Sequence, residues 1–106
     1  MSVECTVTIS NSLGLHARAA AKFVHMAGRF SSRIRVSRGH REMDGKSIMG
    51  LLLLAASHGT VIRIAADGPD ESAALGALCD LVNRRFDEPQ ADVGATFAAD
   101  KDAPWS

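Results

Sequence analysis

The fold of this chain is decided by the run Asn11-Ser12-Leu13-Gly14-Leu15-His16-Ala17-Arg18-Ala19-Ala20-Ala21-Lys22. From Ala20 onward, apolar residues recur at the i, i+3, i+4, i+7 spacing of a helix with one buried stripe. This pattern predicts a helix that begins at or just after His16, and Gly28 beyond it is typical of a helix end. His16 therefore lies where a loop meets a helix N-terminus. Backbone N–H groups without helical partners and the positive end of the helix dipole make such a position an anion site.

Two residues of this run carry chemistry, His16 and Arg18. A neutral imidazole is a nucleophile, and the Arg18 guanidinium is close enough along the chain to bind the same anion. Gly14 can adopt the turn that the loop needs, and Leu13 and Leu15 are expected to anchor the loop on the core. The alternative is a surface histidine that caps the helix weakly and has no further function.

A resemblance to a known family rests on two segments. The run from Asn11 to Lys22, with Gly-Leu-His-Ala-Arg at its centre, resembles the active-site segment of HPr, the histidine phosphocarrier of the bacterial phosphoenolpyruvate-dependent phosphotransferase system. The run Gly45-Lys46-Ser47-Ile48-Met49-Gly50-Leu51 resembles the regulatory-serine segment of the same family. This chain has Ala19 where the family usually has proline, which predicts a slightly looser first helical turn. The form His-Ala-Arg-Ala is similar to the nitrogen-regulatory (NPr-like) branch, so sugar transport and nitrogen regulation both stay open.

The resemblance implies a role for each matching residue. His16 would accept a phosphoryl group on Nδ1 from phosphorylated Enzyme I and pass it to a downstream EIIA-type domain. The backbone N–H groups of Ala17 and Arg18 would hold the phosphate oxygens, and Arg18 would stabilise their charge. Ser47 would be a regulatory site for an HPr kinase/phosphorylase. We expect a phosphoryl carrier rather than an independent catalyst, with no cofactor.

A docking surface is expected on the helix after Ser47. Ser47 is typical of an N-cap, and the apolar residues that follow it extend beyond what one core-facing stripe requires. The pattern fits either a deeply buried helix or an exposed apolar patch that binds partners. The resemblance favours the patch, with contributions from both helices: Ile48, Met49, Leu51, Ala20 and Lys22.

Two other functions compete with the carrier. In the first, the chain is a regulatory module that binds a target according to its phosphorylation state. In the second, it is an RNA-binding α/β domain. Residues 1–63 hold nine Lys or Arg against three acids, and residues 64–106 hold three against nine. The basic half suits an acidic protein or a phosphoryl group, but the chain has no Tyr and its strands lack the aromatic platforms on which bases stack.

The remaining periodicities predict the order βαββαβα. Strands are expected at 2–10, around Ile34 and Val36, at 40–44 and at 60–66. A second helix would run from Ser47 towards Gly59, and a third would start at 68–71, carry Arg84 and Arg85 in its last turn and stop at Pro89. Half-polar strands and three amphipathic helices favour an α+β fold with a four-stranded antiparallel sheet and helices on one face. The resemblance implies the HPr-like open-faced sandwich with strand order 1-4-2-3.

Length and composition bound the remaining properties. The 106 residues, 46% hydrophobic and 23% charged, predict one phosphocarrier domain over 1–88, followed by a flexible tail over 89–106. Cys5 and Cys79 have no metal-ligand spacing and are expected to be buried, reduced thiols. The other histidines are too scattered to suggest a metal site. No signal peptide or membrane-length apolar run is found, so we expect a cytoplasmic monomer that binds neither membranes nor nucleic acid.

Overall fold

Four strands with alternating apolar residues and three helices with helical apolar periodicity follow one another in the predicted order. The computed structural model describes residues 2–88. In chain order the elements are β1 Ser2–Thr8, α1 Ala17–Ala27, β2 Arg33–Arg38, β3 Arg41–Asp44, α2 Ile48–Leu53, β4 Val61–Asp67 and α3 Glu71–Asn83. A short 3-10 turn, Arg85–Asp87, follows α3 and was not expected from the sequence. The predicted tail, 89–106, lies outside the described residues.

The four strands form one antiparallel sheet in the order β1-β4-β2-β3. β4 lies in the interior, where Ile64 is opposite Cys5 of β1 on one side and Val36 of β2 on the other. Because side chains alternate along a strand, Ile62 and Ile64 are buried while Arg63 between them is exposed. The predicted strand order and the open-faced α+β sandwich are confirmed.

The core lies between this sheet and the three helices. Alternate sheet residues meet apolar stripes of the helices, and the largest fully buried side chains come from both layers. They are Phe23, Phe86, Ile9, Ile34, Leu51, Leu54, Ile62, Ile64, Leu78, Val36 and Val82. Across the described part of the chain, no helix combines the length and apolar character needed to cross a membrane.

α2 ends earlier than predicted. We expected it to run towards Gly59, but it ends at Leu53, and Ala55 has a left-handed backbone with φ 52°. Two arginines bind the end of this helix: Arg38 donates from Nη1 to the Leu54 carbonyl at 2.9 Å, and Arg41 donates from Nη1 to the Leu53 carbonyl at 2.8 Å. These cations lie at the negative end of the helix, where they are favourable.

α3 begins where the sequence predicts, with Asp70 at the N-cap position. The Asp70 carboxylate does not cap its own helix. It accepts hydrogen bonds from the Ser32 hydroxyl at 2.5 Å and from the N–H groups of Ser31 and Ser32, each at 2.9 Å. These hydrogen bonds, the one from the Ser32 hydroxyl above all, lower the pKa of Asp70 to about 2. Asp70 thus joins α3 to the loop before β2.

The predicted end of α3 is wrong. We expected Arg84 and Arg85 in its last turn and a stop at Pro89. The helix ends at Asn83, and Arg85, Phe86 and Asp87 have φ of 59°, 56° and 61°. Residues with side chains rarely adopt this left-handed backbone. Here the turn buries Phe86 completely, so core packing rather than proline ends the helix.

Cys5 and Cys79 are not the reduced thiols that the sequence suggested. They form a disulfide with a Cα–Cα separation of 7.3 Å. The pair belongs to β1 and α3, which pack against each other. The prediction rested on the lack of metal-ligand spacing and of a secretory signal, and a separation of 74 residues gives no sign that α3 crosses β1 at Cys5.

Candidate functional site

His16 stands at the N-terminus of α1, as predicted, and is the N-cap residue of that helix. Its backbone is extended, with φ −86° and ψ −179°, and its Nδ1 accepts a hydrogen bond from the Arg18 N–H at 3.2 Å. A nitrogen that accepts a hydrogen bond carries no proton. The lone pair of Nδ1 therefore lies beside the backbone N–H groups of the first helical turn, which is the arrangement expected at an anion site.

The loop before His16 is held by its backbone. Gly14 has φ 72°, and a Cβ added to it would lie 2.8 Å from the Ala56 carbonyl oxygen. The next residue, Leu15, donates its N–H to that same oxygen at 2.8 Å. Leu15 is buried, as expected, but Leu13 is 70% exposed and does not anchor the loop. The segment after α2 thus fixes the position of the loop that carries His16.

The second nitrogen of the ring has a partner that sequence reasoning missed. Nε2 of His16 lies 2.5 Å from Oε2 of Glu88, and the two side chains are 27% and 11% exposed. Since Nδ1 is an acceptor, the proton of the neutral ring is on Nε2, which donates to the Glu88 carboxylate. No sequence signal could have found this contact, because the residues are 72 positions apart and the end of α3 was misplaced.

Asn11 connects Glu88 to the loop. Its side chain is buried, and Nδ2 donates both to the Gly14 carbonyl at 2.7 Å and to Oε1 of Glu88 at 3.1 Å. Its Oδ1 has no hydrogen-bond partner, which is costly for a buried polar atom. Asn11 belongs to the run that drew attention in the sequence, but it was not identified as a site residue there.

α1 also contacts the turn that carries Glu88. Lys22 donates from Nζ to the carbonyl oxygen of the buried Phe86 at 2.7 Å. Within the turn, Arg84 donates from Nε to Oδ1 of Asp87 at 3.0 Å, and this hydrogen bond lowers the pKa of Asp87. The turn is therefore held by a hydrogen bond from α1 and by one between Arg84 and Asp87.

Charge at the start of α1 is positive. The first turn contains no acidic residue, and Arg18, the second residue of the helix, is exposed there. Ala17 and Arg18 are the first two residues of α1, so their backbone N–H groups have no acceptor within the helix backbone, and that of Arg18 donates to Nδ1 of His16. The structure brings His16, Ala17 and Arg18 together as the sequence predicts.

Ser47 lies at the N-terminus of another helix. It is the N-cap residue of α2, and its Oγ accepts a hydrogen bond from the Gly50 N–H at 3.0 Å. The predicted cap is therefore confirmed. The residue is half-buried, and its hydroxyl lies where the exposed apolar part of α2 begins.

The predicted docking surface is only partly exposed. Ile48 and Met49 are 42% and 65% exposed, and Lys22 is half-buried, with its Nζ bound to the Phe86 carbonyl. Ala20 and Leu51 are fully buried, so they are not part of the exposed surface that was predicted to contain them. Both belong to the stripes by which α1 and α2 pack against the core. Leu13 and Leu53 are exposed instead and were not predicted to be part of this surface.

The remaining histidines contribute nothing to this site. His25 lies in the last turn of α1, while His40 and His58 lie in turns outside the helices and strands. Within residues 2–88, no group of three His, Cys, Asp or Glu side chains could hold a metal ion.

Comparison with known proteins gives a consistent result. A sequence model described as the PTS HPr component phosphorylation site matches residues 3–84. The chain is 53% identical over 83 residues to the phosphocarrier protein HPr of Pseudomonas aeruginosa, covering 77% of this chain and 92% of the relative. It is 43% identical over 86 residues to the phosphocarrier protein NPr of Shewanella violacea, covering 81% of this chain and 94% of the relative.

Solved structures give the same relationship. The crystal structure of HPr-C-His from Thermoanaerobacter tengcongensis superimposes with a TM-score of 0.79 at 45% sequence identity. The match covers 82% of this chain and 98% of that one.

Proposed function

The chain belongs to the HPr family, the phosphocarriers of the phosphotransferase system, and on that basis we propose that His16 is its phosphoryl acceptor. Phosphorylated Enzyme I donates the group, and His16 passes it to an EIIA-type domain. One observation carries the proposal: the Arg18 N–H donates to Nδ1 of His16, so Nδ1 is unprotonated at a helix N-terminus and its lone pair can attack once this hydrogen bond is given up.

The transfer step follows from this arrangement. The Nδ1 lone pair attacks the phosphorus atom, a P–N bond forms, and the bond to the donor breaks with its electron pair leaving on the donor. The phosphoryl oxygens then replace Nδ1 as the acceptor for the Arg18 N–H, and they also accept from the Ala17 N–H. The Arg18 guanidinium adds a charge-assisted contact, and the positive end of α1 stabilises the negative charge of the incoming group.

Partners would dock beside this site. Ile48 and Met49 provide an exposed apolar surface at the start of α2, and Lys22 adds a positive charge on α1. Met is flexible and adapts to different surfaces, which suits a carrier that must bind a donor and an acceptor in turn.

Ser47 is the proposed regulatory residue, modified by an HPr kinase/phosphorylase. A phosphate on Oγ adds about −1.5 to −2 charges at the N-terminus of α2, next to Ile48 and Met49. This charge is favourable for the helix dipole but changes the surface that partners contact. A second function, a regulatory module whose binding depends on phosphorylation, is favoured by the same neighbourhood.

The test is labelling with Enzyme I and labelled phosphoenolpyruvate. A phosphoimidazole becomes a good leaving group when its other nitrogen is protonated, so the label should survive alkali and be lost in mild acid, whereas phosphoserine behaves in the opposite way. His16→Ala should abolish acid-labile labelling. Arg18→Ala should slow it about ten- to a hundred-fold, because one charge-assisted contact is lost.

The controls are three histidine variants, His25→Ala, His40→Ala and His58→Ala, which should label normally. Acid-labile label on His16→Ala would refute the proposal. Adding candidate EIIA-type acceptors to the labelled chain in cell extracts then shows which of them takes up the label, and so whether the chain serves sugar transport or nitrogen regulation. We also propose that the chain is a cytoplasmic monomer.

A further inference from the structure

We infer that Glu88 is a positioning residue for phosphoryl transfer: it holds the proton on Nε2 of His16 and balances the charge of the phosphorylated ring. This inference rests on the proposal that His16 is the phosphoryl acceptor, and it adds to that site a residue from the other end of the domain. It is carried by the 2.5 Å contact between Nε2 and Oε2 of Glu88, together with the hydrogen bond that fixes Nδ1 as an acceptor.

The two contacts select one tautomer of the ring. The Arg18 N–H can donate only to an unprotonated Nδ1, and the Glu88 carboxylate can accept only from a protonated Nε2. A ring held between a donor and a carboxylate therefore presents its lone pair on Nδ1. The same logic orients histidines beside carboxylates in metal sites and catalytic triads.

Glu88 is itself fixed in place. Its other oxygen, Oε1, accepts a hydrogen bond from Asn11 at 3.1 Å. The preceding turn has three consecutive left-handed residues, buries Phe86 and is held by Lys22 of α1. An unfavourable backbone that persists because its surroundings enforce it is a common sign of a functional position. Here the turn places the Glu88 carboxylate against the His16 ring.

The charge balance of the transfer explains what the carboxylate does. When Nδ1 attacks phosphorus, the new P–N bond forms while Nε2 keeps its proton, so the ring becomes a phosphoimidazolium with one positive charge. The Glu88 carboxylate neutralises this charge. In the onward step the P–N bond breaks with its electron pair returning to Nδ1, and the leaving group is neutral imidazole only if Nε2 is still protonated. Glu88 thus favours the transferable form of the carrier.

Other titratable and charged groups lie on the elements that border the ring. α1 contributes the cations Arg18 and Lys22. The turn after α3 contributes Arg84, Arg85 and Asp87, and the segment after α2 that packs on Gly14 contributes His58. Among residues 2–88, the carboxylate in contact with the ring is that of Glu88.

The experiment measures how fast phosphorylated His16 loses its label as a function of pH. The full-length chain and its Glu88→Gln variant are labelled by Enzyme I and freed from the donor. The label is then followed from mildly acidic to mildly alkaline buffers. The introduced amide keeps an acceptor oxygen but has no charge, so we expect the pH dependence to move about one unit towards acid and the loss at neutral pH to slow about ten-fold.

Two further variants complete the test. Glu42→Gln removes an exposed carboxylate of β3 that lies 3.9 Å from Arg35, and it should retain the wild-type profile. Glu88→Ala removes the carboxylate but leaves the Arg18 N–H, so imidazole nitrogen NMR of the unphosphorylated protein should show a smaller fraction of the Nε2–H tautomer than in wild type. Thermal melting checks that each variant is folded.

The outcomes separate the two hypotheses. A Glu88→Gln profile identical to wild type, or a fraction of the Nε2–H tautomer in Glu88→Ala equal to that of wild type, would overturn the role of Glu88 even though His16 labels normally. Absence of acid-labile label on the wild-type chain would overturn the phosphoacceptor itself. The NMR comparison needs no partner, so it still decides whether Glu88 fixes the tautomer.

Discussion

The place of the His16 imidazole depends on a residue without a side chain. Gly14 has a left-handed backbone, and its Cα lies so close to the segment after α2 that an added Cβ would meet both the Ala56 carbonyl and Cα of Ser57 at 2.8 Å. The next N–H, that of Leu15, binds the Ala56 carbonyl. A shift here would move His16 relative to the N–H groups of α1, and transfer chemistry is sensitive to displacements of about 1 Å.

Gly14→Ala should therefore impair stability and labelling together. Gly39→Ala is the matched control, because Gly39 also has a positive φ, 60°, but no atom lies within 4 Å of its added Cβ. The control should lose about 1 kcal/mol from the backbone alone and label at the wild-type rate. Gly14→Ala should lose more and label more slowly, since backbone atoms must move.

Denaturant unfolding and initial labelling rates by Enzyme I measure both effects. Equal losses of stability in the two variants, with wild-type labelling in Gly14→Ala, would contradict the proposed role of the close contact.

At the scale of elements, the two proposed functional residues His16 and Ser47 each cap the start of a helix. α1 starts at His16 and α2 starts at Ser47, and in both a side chain accepts a hydrogen bond from the first turn. Sequence periodicity located both starts because caps and apolar stripes are local signals. The ends of α2 and α3 were not located. Each is set by left-handed residues, Ala55 and Arg85–Asp87, which only tertiary packing stabilises.

Ser47→Asp should keep the fold and slow the phosphorylation of His16. Asp is an N-cap residue like Ser, so α2 should persist, while the added negative charge changes the surface beside Ile48 and Met49. We expect a decrease on the order of ten-fold in the labelling rate. Ser47→Ala separates charge from capping: it should lose about 1 kcal/mol of stability yet label nearly normally. A wild-type rate for Ser47→Asp, or for enzymatically phosphorylated protein, would argue against regulation at this residue.

The attachment of α3 predicts a pH dependence. Hydrogen bonds from Ser32 and Ser31 lower the pKa of Asp70 from 3.8 to about 2. A carboxylate with a lowered pKa stabilises the fold above its unfolded-state pKa, and this contribution is lost as the pH falls through the folded-state value. The loss should therefore occur between about pH 4 and pH 2.

Asp70→Asn should lower stability at neutral pH and flatten the decline of stability over that acidic range. Asp67→Asn, at the exposed end of β4, is the control and should leave the decline unchanged. Urea unfolding at several pH values measures both, and a variant as acid-sensitive as wild type would contradict the assignment.

At the scale of the whole molecule, the site joins the two ends of the domain. His16 follows the first strand, while Glu88 follows the last helix, and the antiparallel order β1-β4-β2-β3 is what brings α1 and α3 together. The sequence predicted the order of elements and the resemblance implied the sheet, His16, Arg18 and Ser47. Neither the sequence pattern nor the resemblance predicted contacts between residues more than seventy positions apart, such as that of Glu88 with His16, because the pattern of neighbouring residues carries no signal for them.

The disulfide is the other contact of this kind, and it gives the last prediction. Linking Cys5 to Cys79 closes a loop of 74 residues, and in the chain-entropy account such a link destabilises the unfolded state by about 4 kcal/mol. Oxidised wild-type protein should therefore lose about this much stability on adding a dithiol reductant. Cys5→Ser and Cys79→Ser should match the reduced protein and not respond to the reductant.

Labelling of His16 should persist in all these forms, because the ring and its contacts lie at α1 and at the turn after α3 rather than at the disulfide. Urea unfolding with and without reductant measures the effect, and thiol counting in freshly lysed cells gives the state in vivo. Disulfides are rare in reducing compartments, so the proposed cytoplasmic location predicts that the pair is reduced there and oxidises after extraction. Equal stability of the wild type with and without reductant would show that the link does not contribute to the fold.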